Sequence, residues 1–126
     1  MSKLTAHNAI ATVAVKDLAA ARKFYEKIGL AVVDAGGGEA ITFSCGTSKL
    51  IVYRSQFAGS NKATAVNWMV GNEVEAVVAE LRAAGVAFEH YDMPGMERHG
   101  DVHLAGGFKS AWFKDPDGNI LCAMGT

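Results

Sequence analysis

The chain has 126 residues, half of them apolar and a fifth charged, with a formal net charge of −1 at pH 7. That length buries one hydrophobic core without staples, and the composition is wrong for a disordered chain. The near-zero charge offers no field for phosphate backbones or anionic lipid, so nucleic acid and membrane surfaces are not expected as partners.

Taken in chain order, residues 8–15 are short and rich in β-branched side chains, which predicts a strand. Asp17 is a good N-cap for a helix over 18–28, because its carboxylate accepts from the free amides of the first turn. Leu18, Ala21, Phe24, Tyr25 and Ile28 recur at helical spacing, and Gly29 supplies the stop. Strands are predicted over 30–34, 40–45 and 49–54, with turns at Gly36-Gly37-Gly38 and Gly46-Thr47. Residues 56–64 read as a polar connector.

The second half repeats this order. A strand over 65–70 is followed by helix entry at Asn72 or Glu73, an apolar stripe of Val74, Val77, Val78 and Leu81, and a stop at Gly85. A strand over 86–90, a loop over 91–107, and a final hairpin of 108–113 with 119–124 complete it. A shift of 56 lays Asp17 on Glu73, Leu18 on Val74, Gly29 on Gly85 and Leu30 on Val86, so cap, stripe and stop coincide. This is one duplication, not a short-period solenoid. The expectation is a single α+β domain of two tandem βαβββ modules, 6–55 and 65–126, with helices outside and a cleft inside.

Three stretches carry a resemblance. Val15-Lys16-Asp17-Leu18 through Phe24-Tyr25 and Gly29-Leu30, then Glu80-Leu81-Arg82-Ala83-Ala84-Gly85-Val86, then Trp112-Phe113-Lys114-Asp115-Pro116-Asp117-Gly118-Asn119 fall in order along the chain. Together they resemble the vicinal oxygen chelate superfamily, which includes glyoxalase I, bleomycin-resistance proteins and extradiol dioxygenases. The resemblance implies paired βαβββ modules in an open barrel, commonly a homodimer. In metal-dependent members a divalent ion sits in the cleft, on His, Gln or Glu from the first and last strands.

The resemblance places those ligand positions here at Ile10, Val66, Cys122 and, as the rough first-module counterpart, Val52. A hard divalent cation needs oxygen or imidazole donors, which three of these lack, and one thiol makes no site. A register one residue away offers Asn67 and Tyr53, again with no histidine or carboxylate. No cofactor is therefore expected. The remaining metal candidate is Glu97, His99, Asp101 and His103, spaced E-x-H-x-D-x-H; these residues equally suit a solvated loop or a lid over a pocket.

If Ile10 and Val66 face the cleft, strand alternation brings in Trp68, Val52, Arg54 and Cys122. Trp68 and Trp112 are the largest groups available to stack on a ligand, with Tyr53, Phe57 and Tyr91 at the rim, though each also suits packing. Arg54 suits an anionic group or open solvent. Cys122 has no base among its sequence neighbours, so a buried inert thiol is expected. Asp115-Pro116-Asp117-Gly118-Asn119 has the composition of a tight structural hairpin.

The leading expectation is a metal-free family member that binds a small hydrophobic or aromatic molecule in the cleft. It competes with a metal-dependent lyase, isomerase or dioxygenase using unusual ligands, and with acid–base catalysis by His99, His103 or Glu97. The start of the chain, Met1 to His7, has no apolar core of a signal peptide, and the two cysteines form no spaced framework. A cytoplasmic homodimer is expected.

Overall fold

The computed structural model describes Thr5 and residues 8–126; the opening stretch read for a signal peptide and the start of the first module fall largely outside the described residues. Strand β1 (Ala11–Val15) leads into α1 (Leu18–Lys27), then β2 (Ala31–Asp34), β3 (Ala40–Cys45) and β4 (Ser48–Arg54). Helix α1 starts where expected: the Asp17 carboxylate accepts from the amides of Ala19 at 2.9 Å and Ala20 at 3.2 Å. It stops at Gly29, whose φ of +107° takes the chain out of helix. The four strands form a sheet in the order β1-β4-β3-β2, with β1 parallel to β4.

The second unit has the same plan: β5 (Thr64–Gly71), α2 (Val74–Ala83), β6 (Phe88–Glu89), β9 (Phe108–Lys114) and β10 (Ile120–Gly125). Here β5 lies parallel to β10, which is antiparallel to β9. The architecture is thus α+β, two helices on two mixed sheets that do not close into a barrel.

One departure lies in residues 91–107, which are not all loop. They contain a hairpin, β7 (Glu97–His99) and β8 (Val102–Ala105), joined by the two-residue turn Gly100-Asp101. Gly100 has φ +62°, and a Gly-Asp pair between short runs is a hairpin signal in its own right. Strand β8 pairs with the first half of β9 and β6 with its second half. The position beside β9 is therefore shared by two short strands, with β7 outside β8.

Sheets and helices share one core. Val13, Val15, Phe43, Leu50 and Val52 of the first sheet are buried with Ala21 and Tyr25 of α1, Leu81 of α2, and Phe113 and Leu121 of the second sheet. Phe113 contacts Phe24, Trp68 and Phe88 at ring centroid distances of 6.4, 6.3 and 5.7 Å. A smaller cluster of Val74, Val78, Val102 and Ala111 lies under α2.

The repeat offset corrects the expected sheet faces. On β1 the buried residues are Val13 and Val15, whereas on β5 the residues packed against the core are Val66, Trp68 and Val70. The strands are thus related by a shift one residue shorter than the helices. The extra residue sits at a β-bulge, where pairing steps from Met124–Met69 to Gly125–Gly71 and passes over Val70. Gly71, at φ +61°, takes the conformation this requires. A one-residue slip in a strand exchanges its faces. Val66 and Trp68 therefore point to the helices and not to the open side. Val52, paired with Val13, does the same and is fully buried.

Candidate functional site

The face of each sheet away from the helices is the open one. On the first sheet it carries Thr12 and Ala14, with their partners Ile51 and Tyr53. On the second it carries Asn67 and Met69, partners of Cys122 and Met124, and across β9 Trp112 and Ser110. His103 pairs with Ser110 and so belongs to this side as well. The register one residue away, with Tyr53 and Asn67, is the one the fold adopts. The signal was present in β5, whose bulky apolar residues Val66, Trp68 and Val70 alternate with Asn67 and Met69.

A cleft of about 510 Å³ lies on the open side of the second sheet, with Trp112, Tyr91, Met93 and Ile120 as apolar walls and Lys62 and Asp92 as charged members. Trp112 is held in place from three sides. Its indole N–H donates to the Thr64 hydroxyl at 3.2 Å, and Tyr91 and His103 stand edge-on to it at 5.3 and 4.8 Å. The Tyr91 amide donates to His103 Nε2 at 2.9 Å, while His103 Nδ1 faces the Ser110 carbonyl at 3.3 Å. A carbonyl only accepts, so Nδ1 carries the proton and Nε2 the lone pair. Both ring nitrogens are thus engaged by backbone. This buried histidine positions the segment that carries Tyr91, and neither nitrogen is free to accept a substrate proton or bind a metal.

Cys122 lies on the same face as Trp112, its cross-strand partner, but is only 1 % exposed. Burial pushes its thiol up to about 11, opposed by hydrogen bonds from Ala111 and Ser110, so it is a neutral thiol at pH 7. Burial also raises the Tyr91 hydroxyl, helped by the Glu89 carboxylate and opposed by Lys114. That hydroxyl is buried without a hydrogen-bond partner.

Of the residues singled out from sequence, the structure brings together Trp112, Tyr91 and His103, with Cys122 buried across the strand pair from Trp112, and separates the others. Trp68 is on the helix side, stacked on Phe113 with 16° between ring planes. Arg54 is paired with Glu39 through two nitrogens, at 2.5 and 3.3 Å, at the exposed end of β4. Glu97 and His99 pair with Leu104 and Val102, which pack toward α2, so both share the helix-side face of an exposed edge strand. Asp101 is tied by the Arg82 guanidinium and by His90 Nε2 at 2.7 Å. Strand alternation from the sequence already put Ile120 on the face of Cys122; it did not find Lys62, His90, Asp92 or Met93, whose joint placement depends on how the connector and the 90–93 segment meet β9 and β10.

The donor set can be tested against the metal that the resemblance implies. The open faces of β1, β4, β5 and β10 include Thr12, Ala14, Ile51, Tyr53, Asn67, Met69, Ile120, Cys122 and Met124, and these four strands contain neither carboxylate nor imidazole side chains. Among the described residues no group of three or more His, Cys, Asp or Glu is placed to hold a metal ion. These residues do not fit a hard divalent cation.

Two helix-backed βαβββ units with an aromatic-walled cleft on the open face define a protein of the glyoxalase-like α+β fold. The chain belongs to the glyoxalase/bleomycin resistance protein/dioxygenase superfamily, which it matches over residues 7–123. The resemblance drawn from the three motifs is thereby borne out. Solved structures agree on the fold. A bleomycin-binding protein complexed with bleomycin is similar at TM-score 0.72 and 16 % identity, covering 95 % of this chain and 98 % of that one. A fosfomycin resistance protein from Mesorhizobium loti has TM-score 0.68 and 12 % identity, covering 100 % and 94 %. A lactoylglutathione lyase from Agrobacterium tumefaciens has TM-score 0.66 and 23 % identity, covering 94 % of each. No curated protein matches the sequence.

Proposed function

We propose that this chain binds a small, largely hydrophobic or aromatic molecule in the open-face cleft without a metal ion, as a cytoplasmic homodimer. The observation that carries the reading is Trp112, fixed by Thr64, Tyr91 and His103 as one wall of a cleft whose other walls include Met93 and Ile120. Aromatic side chains held rigid lose little entropy on binding and offer a flat apolar surface. The bleomycin-bound relative supports the idea of a small-molecule cleft in this fold. Homodimerisation is supported by exposed apolar residues on or beside the open faces, with Tyr53 40 %, Phe57 73 % and Met69 67 % accessible. Both cysteines are free, which suits a reducing compartment.

The test is a thermal-shift panel of aromatic compounds, followed by titration of the best probe against Trp112→Ala. The expected result is a saturable rise in Tm with the native chain and an affinity loss of about tenfold or more in the variant, since stacking contributes on the order of 1–1.5 kcal/mol beyond area burial. Retained affinity in the variant, or one tightly held divalent ion per purified chain that is required for turnover, would overturn it.

A further inference from the structure

The helix side of the second sheet contains a second opening, unconnected with the proposed ligand cleft. It is an apolar crevice of about 200 Å³ between α2, the sheet and the segment that follows α1, walled by Trp68, Phe113, Val77, Leu81 and Leu30, with Glu80 at its edge. An apolar cavity of about 150 Å³ admits a benzene ring, so this one has room for a single ring with a short substituent. Trp68 does not move freely there. One face of its indole stacks on Phe113, with ring centroids 6.3 Å apart.

The charge arrangement on α2 selects the occupant. Of its three charged side chains, Glu75 is bonded by Lys109 at 2.6 Å and Arg82 is paired with Asp101. Among the described residues Glu80 alone on this helix has no ion-pair partner, and it is the one charged residue that lines the crevice. An exposed carboxylate beside two aromatic rings attracts an ammonium, both by charge and through the negative faces of the rings.

We propose that this crevice is a binding site for a small arylalkyl ammonium ion. Its ring enters among Trp68, Phe113, Val77 and Leu81, and its cationic group stays at the mouth against Glu80. The site does not depend on the open-face cleft, because Trp68 and Trp112 lie on opposite faces of the same sheet.

With two tryptophans in the chain, Trp112→Phe makes Trp68 the sole indole reporter, so binding in the open-face cleft no longer contributes indole fluorescence. Benzylammonium titrated into that variant is expected to change Trp68 fluorescence saturably. Benzyl alcohol, its neutral isostere, is expected to bind about fivefold to tenfold more weakly. Glu80→Gln, a change at an exposed position, is expected to abolish that difference while leaving the alcohol's affinity as it was. Absence of saturable change with benzylammonium, or a cation preference that survives Glu80→Gln, would overturn the proposal. Loss of the aromatic response in the native chain on Trp112→Ala, with this Trp68 response intact, separates the two sites.

Discussion

Asp115 shows how much one side chain does in this fold. Its Oδ1 accepts from the amides of Asp117 and Asn119, both at 2.9 Å, which closes the turn between β9 and β10. Its Oδ2 accepts from the buried Tyr25 hydroxyl at 2.7 Å and the Asn119 amide nitrogen at 2.8 Å, which ties that turn to α1. Burial, followed by the neighbouring Asp115 charge, raises the Tyr25 hydroxyl far above its ordinary range, so it remains a donor at every working pH. Asp115→Asn places an amide N–H₂ where one oxygen accepted from two donors, whichever way the amide turns. A loss of about 2–3 kcal/mol is expected in urea unfolding, with no change in m-value. Tyr91 gives the opposite sign. Its hydroxyl is buried and unpaired, so Tyr91→Phe is expected to stabilise the chain by about 1 kcal/mol, read as a raised Tm. The turn composition around Asp115 was legible in the sequence, because Asp, Pro, Gly and Asn act locally there. Its bonds to α1 span 90 residues and left no local trace.

At the scale of elements, the β7–β8 hairpin is anchored at its turn. Asp101 accepts from His90, just after β6, and from Arg82 at the end of α2, so three segments meet on one carboxylate. The His90 hydrogen bond first, and the Arg82 guanidinium second, hold Asp101 below its ordinary range. A carboxylate depressed in the folded state stabilises it above the unfolded pKa of about 3.9, and that contribution is lost as pH falls through the folded value. The native chain is therefore expected to exceed Asp101→Asn in Tm at pH 5–7, with the gap closing toward pH 3. A gap unchanged at pH 3 would show that the carboxylate charge is not what anchors the hairpin. The bulge between β5 and β10 is equally local in cause and wider in effect. A Cβ on Gly125 would lie 1.7 Å from the Gly71 carbonyl oxygen, so glycine is required where the strands close on each other. That junction sets which residues of β5 face the helices.

At the scale of the molecule, Phe113 joins the two units, touching α1 through Phe24, β5 through Trp68 and β6 through Phe88. It is 1 % exposed, and Phe113→Ala is expected to cost about 3–5 kcal/mol. Because the two sheets share its environment, calorimetry is expected to show one transition moved to lower temperature. Two separated transitions would mean that the units unfold independently.

The sequence by itself determined the order of elements apart from the β7–β8 hairpin, together with both helix stops, the Asp17 cap, the Asp115–Asn119 turn and the family. Each depends on residues within a few positions of one another or on a motif that survives as a string. Only the tertiary structure decided which side of each strand faces the cleft. Face depends on register, register on the bulge at Gly71, and a repeat counted from the helices carries no information about an extra residue beyond them. That one residue moves Val66 and Trp68 to the helix side and leaves Trp112 and Tyr91 as the aromatic walls of the candidate site.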